Sequence, residues 1–164
     1  DIVIIGKPMA NGHPIGAVVT TSEIAESFSK GVEFFSSFGG NPVSCAIGMS
    51  VLDVIKEENL QENAKVIGSY YMSLFKDLQN KAYLYWRCYR GSGLFIGIEI
   101  VKENSKKSNT KLAQRIKNEL RNKKILVGTD GPFDNVIKSK PPLCFTKENA
   151  ASVVSNIELI INEL

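Results

Sequence analysis

The spacing of apolar residues changes period part-way along the chain, and that change limits the folds open to it. Between residues 43 and 78 apolar side chains recur at every third or fourth position: Val43, Ile47, Val51, Val54 and Ile55, then Leu60, Ala64, Ile67, Tyr71, Leu74, Phe75 and Leu78. That is the stripe of an amphipathic helix, here two helices with a charged break at residues 57–59. From residue 94 the period falls to two. Leu94, Ile96, Ile98 and Ile100 alternate with Phe95, Gly97 and Glu99, the pattern of a half-buried strand. The chain is therefore read as a mixture of α/β and α+β structure.

The remaining elements follow from local chemistry. Residues 2–5, Ile-Val-Ile-Ile, form a continuous apolar run ending at Gly6 and read as a fully buried strand of a parallel sheet. Residues 6–14 hold Gly6, Pro8, Asn11, Gly12 and Pro14 and read as a loop. Residues 15–20 are again apolar and β-branched, and Ser22 reads as the cap of a short helix over 23–29. Asn41 is placed to cap the next helix, with Pro42 as its first residue. Beyond the strand at 94–100, residues 102–110 form a polar loop, and Leu112, Ile116 and Leu120 mark a helix. Short strands are expected at 125–127 and 136–137. Thr146 is placed to cap a last helix striped by Ala150, Val153, Val154, Ile157, Ile160, Ile161 and Leu164. Residues 1–58 thus read as the end of a large α/β unit, and residues 59–164 as a small α+β domain.

Composition removes several function classes. Twenty Lys and Arg against 17 Asp and Glu leave a net charge of +3, too little to argue for nucleic acid or an anionic membrane as partner. No apolar run approaches the roughly 18 residues of a membrane span. The three cysteines, Cys45, Cys88 and Cys144, stand far apart, and His13 is the one histidine, so neither a metal site nor a disulfide framework is expected. Reduced thiols fit an intracellular protein. The chain opens inside a strand pattern with no initiator Met, as if cut from something longer.

Four places could hold chemistry. Lys7 follows a strand, where open α/β sheets keep their ligand sites; a neutral lysine amine there can form a Schiff base with an aldehyde, although a loop lysine can equally be a solvated charge. Ser37-Phe38-Gly39-Gly40-Asn41-Pro42 combines a hydroxyl, two glycines and a helix start, which suits an anion or simply an ordinary capped helix. Arg90-Gly91-Ser92-Gly93-Leu94 reads as a structural turn. Lys138 and Lys140, ahead of Pro141-Pro142, could clamp an anion or remain solvated. His13 shares the Lys7 loop and could touch a ligand or serve the structure.

In this order the segments resemble the class-III aminotransferases, pyridoxal-phosphate enzymes of fold type I. The run from Asp1 to Pro14 is similar to that family's cofactor-lysine segment, and Ser37-Phe-Gly-Gly-Asn-Pro42 to its Thr-aromatic-Gly-Gly-Asn-Pro segment. Arg90-Gly-Ser-Gly-Leu94 resembles the opening of the small carboxyl-terminal domain. Asn11-Gly-His-Pro14, Thr129-Asp-Gly-Pro132 and Lys140-Pro-Pro-Leu-Cys-Phe-Thr146 resemble the phospholyase branch, which acts on ethanolamine phosphate or 5-phosphohydroxylysine.

The resemblance implies that Lys7 is the Schiff-base lysine and the acid/base at the substrate carbon. It implies that Ser37, with Phe38, binds the cofactor of the neighbouring subunit in a homodimer. Lys138 stands where many transaminases use an Arg to grip the substrate carboxylate. Lysine there favours a phospholyase acting on a small phosphorylated amino substrate over a transaminase, because a point charge grips a carboxylate less well than a planar fork. An ordinary transaminase of the alanine–glyoxylate type, or a non-catalytic dimerisation scaffold, is the alternative. A mitochondrial location is implied by the resemblance alone. The rest of the cofactor site is expected in about 250 residues upstream on a two-domain length prior. The isolated chain is therefore expected to bind cofactor weakly and to turn over nothing.

Overall fold

The computed structural model describes residues 1–80, 86–103 and 105–163. They form two compact units, Asp1–Asn59 and Leu60–Leu164.

In the first unit, strand β1 (Ile2–Ile5) pairs antiparallel with β2 (Ala17–Thr20), with Ile5 opposite Ala17 and Ile2 opposite Thr20. A 3-10 turn, Lys7–Ala10, opens the connection between them. Helices α1 (Ser22–Ser29) and α2 (Pro42–Glu57) follow. The structure corrects the expectation of a buried parallel strand: all four residues of β1 are exposed, Ile4 at 79%. A continuous apolar run reports that a strand can be covered on both faces, and within this unit its partner is a hairpin neighbour that covers an edge and not a face. The loop expected over residues 6–14 contains regular structure, because Pro8 sets the φ of a helical first turn and Met9 N–H donates to Gly6 C=O at 3.0 Å. Ser22 is the first residue of α1, and Thr21 before it takes the cap position without a side-chain capping bond.

Helix α2 begins as its sequence dictates. Asn41 Oδ1 accepts the Ser44 N–H at 2.9 Å and Pro42 fills the first turn, where no backbone donor is needed. The helix turns its Ser44, Ile47, Gly48 and Val51 side inward, and Gly48 is buried.

The second unit opens with helix α3 (Leu60–Asn80), preceded by Asn59 at φ +50°. Strands β3 (Trp86–Ser92), β4 (Phe95–Ile100), β5 (Gly128–Asp130) and β6 (Val136–Ser139) form an antiparallel sheet in the order β3-β4-β6-β5. Helices α4 (Thr110–Asn122) and α5 (Lys147–Asn162) complete the unit. The alternation read in β4 holds: Ile96, Ile98 and Ile100 are buried against Tyr71 and Phe75 of α3, Ile116 and Leu120 of α4, and Val154, Ile157 and Ile160 of α5. The Thr146 cap holds too, as a capping box with Asn149. Leu164, the last member of the α5 stripe, lies outside the described residues.

Two strands differ from the reading. β3 carries no clear alternation and is defined by its pairing with β4 across the turn at Gly93 and Leu94. The strand expected at 125–127 lies instead at Gly128–Asp130. Lys124 adopts φ +63° and the Ile125 N–H donates to Leu120 C=O at 2.9 Å, so these residues close the end of α4. Helix α3 also passes very close to the hairpin turn: a Cβ at Gly68 would lie 2.1 Å from the Gly93 carbonyl oxygen.

Candidate functional site

Lys7 is the first residue of the 3-10 turn directly after β1. Its side chain is exposed and enters no hydrogen bond or ion pair among the described residues. A lysine left out of ion pairing keeps its amine available for condensation with a carbonyl once a site desolvates it. The turn that presents it is anchored at its other end by Ala10, which is 3% exposed.

The turn at residues 36–41 leads into α2. Gly40 has φ +71°, a backbone state that a side chain would strain. Gly39 N–H donates to Ser36 Oγ at 3.0 Å, and Asn41 Nδ2 donates to Phe38 C=O at 2.7 Å. These bonds narrow the anion site read from the sequence. The Ser44 N–H is already taken by the Asn41 cap, and Pro42 has no N–H to offer. What the turn still presents is the Ser37 hydroxyl, exposed and without a partner among the described residues, and the Phe38 ring, 85% exposed. Phe38 lines a cavity together with His13 and Ser44, whereas Lys7 and Ser37 are not among its lining residues.

One contact escaped the sequence reading. His13 Nε2 lies 2.7 Å from Ser44 Oγ, across 31 positions of sequence. His13, Pro14, Gly39, Gly40, Ser44 and Cys45 are among the residues lining a cavity of about 480 Å³. No local pattern announces a bond between a loop histidine and a helix serine so far apart. Cys45 and Cys144 are exposed free thiols, whereas the side chain of Cys88 lies outside the described residues. No cluster of three metal-ligating side chains occurs among the described residues.

Within the second unit, Lys138 stands on β6 between two glycines, Gly97 on β4 and Gly128 on β5. The glycines leave room beside it, and a cavity of about 440 Å³ opens on this face, lined by Arg90, Phe95, Asp130, Val136 and Lys138 among others. Its ammonium is not free: Lys138 Nζ lies 2.5 Å from Asp130 Oδ2. The hydrogen bond from Lys138, helped by the Gly131 N–H, holds the Asp130 carboxyl below the usual carboxylate range. The Lys138 charge is thereby compensated within the protein. Lys140 lies over the Phe95 ring at 5.7 Å from its centroid.

The sequence model of the family Aminotransferase class-III matches residues 1–161. The chain belongs to that family. Class-III aminotransferases and the related phospholyases depend on pyridoxal phosphate. The chain is 48% identical over 156 residues to an alanine–glyoxylate aminotransferase 2-like protein of Drosophila melanogaster, covering 92% of this chain and 31% of that protein. It is 42% identical to ethanolamine-phosphate phospho-lyase homolog 1 of Caenorhabditis elegans, covering 98% of this chain and 35% of that one. Among solved structures it superimposes with a TM-score of 0.94 on an Arthrobacter phospholyase in complex with phosphoethanolamine, at 38% identity over 99% of this chain and 39% of that chain. This class-III chain therefore spans about a third of the length of the curated relatives it matches, and its architecture is that of fold type I pyridoxal-phosphate enzymes. No helix among the described residues is long and apolar enough to cross a membrane.

Proposed function

We propose that this chain supplies the Schiff-base lysine and the small domain of a pyridoxal-phosphate enzyme that eliminates phosphate and ammonia from a phosphorylated amino compound such as ethanolamine phosphate. The reading rests on the likeness, 38% identity over 99% of the chain, to a phospholyase whose structure holds phosphoethanolamine. Residues 1–58 are assigned to the carboxyl-terminal part of the large cofactor-binding domain, and residues 59–164 to the small domain.

When bound, pyridoxal phosphate supplies an electron sink for the negative charge left at a substrate carbon after proton removal. Lys7 Nζ would hold the aldehyde until the substrate amine displaces it and would then take the proton from the substrate carbon next to nitrogen, leaving the electron pair that expels phosphate from the neighbouring carbon. Water enters, and phosphate, ammonia and an aldehyde leave. Ser37 is assigned a hydrogen bond to the cofactor phosphate, and Phe38 a place beside it, both toward the neighbouring subunit of a homodimer. Lys138 is assigned to the substrate side. Its pairing with Asp130 supports a substrate without a carboxylate to grip, since a compensated ammonium attracts a second anion only weakly.

The second reading is transamination. It is favoured by 40% identity to the human protein named alanine–glyoxylate aminotransferase 2, mitochondrial, over 90% of this chain and 29% of that one. That name, and the name alanine–glyoxylate aminotransferase 2 homolog 2, mitochondrial, of an Arabidopsis thaliana relative, also support a mitochondrial location.

The full-length enzyme decides between them. Mixed with pyridoxal phosphate it is expected to develop a visible absorbance band that Lys7→Ala removes, with turnover falling on the order of 10³-fold. Ethanolamine phosphate should then release phosphate and aldehyde. Amino transfer from alanine to glyoxylate without phosphate release from ethanolamine phosphate overturns the phospholyase reading, and a band that survives Lys7→Ala overturns the role of Lys7.

A further inference from the structure

We infer that His13 and Ser44 form a strut that positions the Lys7 turn against the turn at residues 36–41, which makes His13 a positioning residue for cofactor retention. The inference rests on the reading of Lys7 given above.

The strut can be followed bond by bond. After the 3-10 turn, Asn11 at φ +48° and Gly12 at φ +117° reverse the chain. Asn11 N–H donates to Pro8 C=O at 3.1 Å, and His13 N–H donates to Ala10 C=O at 3.1 Å. The imidazole is thus fixed to the segment that carries Lys7. From there His13 Nε2 meets Ser44 Oγ at 2.7 Å. The backbone N–H of the same serine donates to Asn41 Oδ1 at 2.9 Å, and Asn41 Nδ2 donates to Phe38 C=O at 2.7 Å. One unbroken series of polar contacts therefore runs from the lysine turn to the turn bearing Ser37 and Phe38.

Two further observations give the series weight. His13 and Ser44 are both half-buried, so water competes for their bond less than it would on an open surface. The 3-10 turn also packs against α2, with Ala10 and Gly48 buried, so the His13–Ser44 bond adds a directional link to a contact already made there. Misplacement of a reacting group by about 1 Å is costly in a site of this kind, and a restraint on the lysine turn is a restraint on the lysine.

The test is a mutant cycle in the full-length enzyme, read by the affinity for pyridoxal phosphate, by the circular dichroism that the bound cofactor acquires in its visible band, and by the melting temperature of the cofactor-free protein. His13→Ala and Ser44→Ala should each weaken cofactor binding roughly fivefold, the ratio set by one hydrogen bond of ordinary net strength. The double variant should be no weaker than either single one, because both delete the same link. Both single variants should reduce the visible dichroism, Ser44→Thr should restore affinity and dichroism together, and the melting temperature should stay at the wild-type value. Should His13→Ala lower the melting temperature, Ser44→Ala decides alone. Wild-type affinity in the single variants, or effects that multiply to about 25-fold in the double one, overturns the strut. A band lost in Lys7→Ala but unmoved in His13→Ala and Ser44→Ala sinks the strut alone. A band that persists in Lys7→Ala sinks the lysine reading itself.

Discussion

In Leu60–Leu164, alternate residues of β4 and one stripe from each of three helices close around Tyr71 and Phe75, both 0% exposed. In Asp1–Asn59, helices and strands form with equal regularity, yet Val32 is 90% exposed and Phe35 83%. The difference separates two things a sequence specifies. Caps, turns and propensities act over a few residues and are satisfied in both units. Burial needs opposing surfaces, and the second unit supplies its own. The residues assigned to cofactor chemistry, Lys7, Ser37 and Phe38, fall in the unit with little core. Substitutions in the two units should therefore register in different measurements.

The largest effect expected in the 164-residue chain is on stability. Phe75→Ala should lower it by about 3–5 kcal/mol, because a fully buried ring is replaced by a void. Phe38→Ala should stay within about 0.5 kcal/mol. Urea denaturation followed by circular dichroism compares the two, and equal losses would break the contrast between the units.

A smaller effect is set by pH. Burial pushes the Tyr71 hydroxyl up to about 12 from its ordinary value of 10.0, against a weaker lowering by its hydrogen bond with Ser139. The folded chain keeps this proton where the unfolded chain has begun to release it. The contribution is complete below pH 10 and is lost as pH rises through about 12, by on the order of 2 kcal/mol. Tyr71→Phe should flatten that part of the alkaline stability curve relative to wild type. Identical slopes for the two would place no titrating burden on the core.

The smallest effect probes where the contrast gives way. Lys138 and Asp130 belong to the well-packed unit but are assigned to the substrate. In the full-length enzyme Asp130→Asn should release the Lys138 ammonium and tighten inhibition by small carboxylates roughly two- to fivefold, the range of an exposed ion pair. Unchanged inhibition would leave the chemistry to the first unit alone.

What could be read from the sequence follows the same division. Asn41 before Pro42 and Thr146 three residues before Asn149 announce two helix starts, and both caps form. The isoleucines of β4 announce a half-buried strand because alternation and burial there come from one sheet and its helices. β1 was legible as a strand but not in its partner or its exposure, since four apolar residues in a row say nothing about which neighbour arrives. β5 was misplaced by three residues because Gly-Thr-Asp has little strand preference of its own and takes its position from β6. Within the candidate site, Lys7 and the Gly39-Gly40 turn were found from local chemistry and family resemblance together. The His13–Ser44 bond and the Lys138–Asp130 pair were not, because each joins residues through folding alone.

The close crossing of α3 over the β3–β4 turn has a practical consequence for chimeras. No side chain fits at position 68 while the Gly93 carbonyl stays where it is, and Gly93 at φ +54° resists replacement for its own reason. A recombination junction placed between the two would couple a helix from one parent to a hairpin from another. Such hybrids stay sound only when both parents carry glycine at both positions, so these segments are best inherited as a single block.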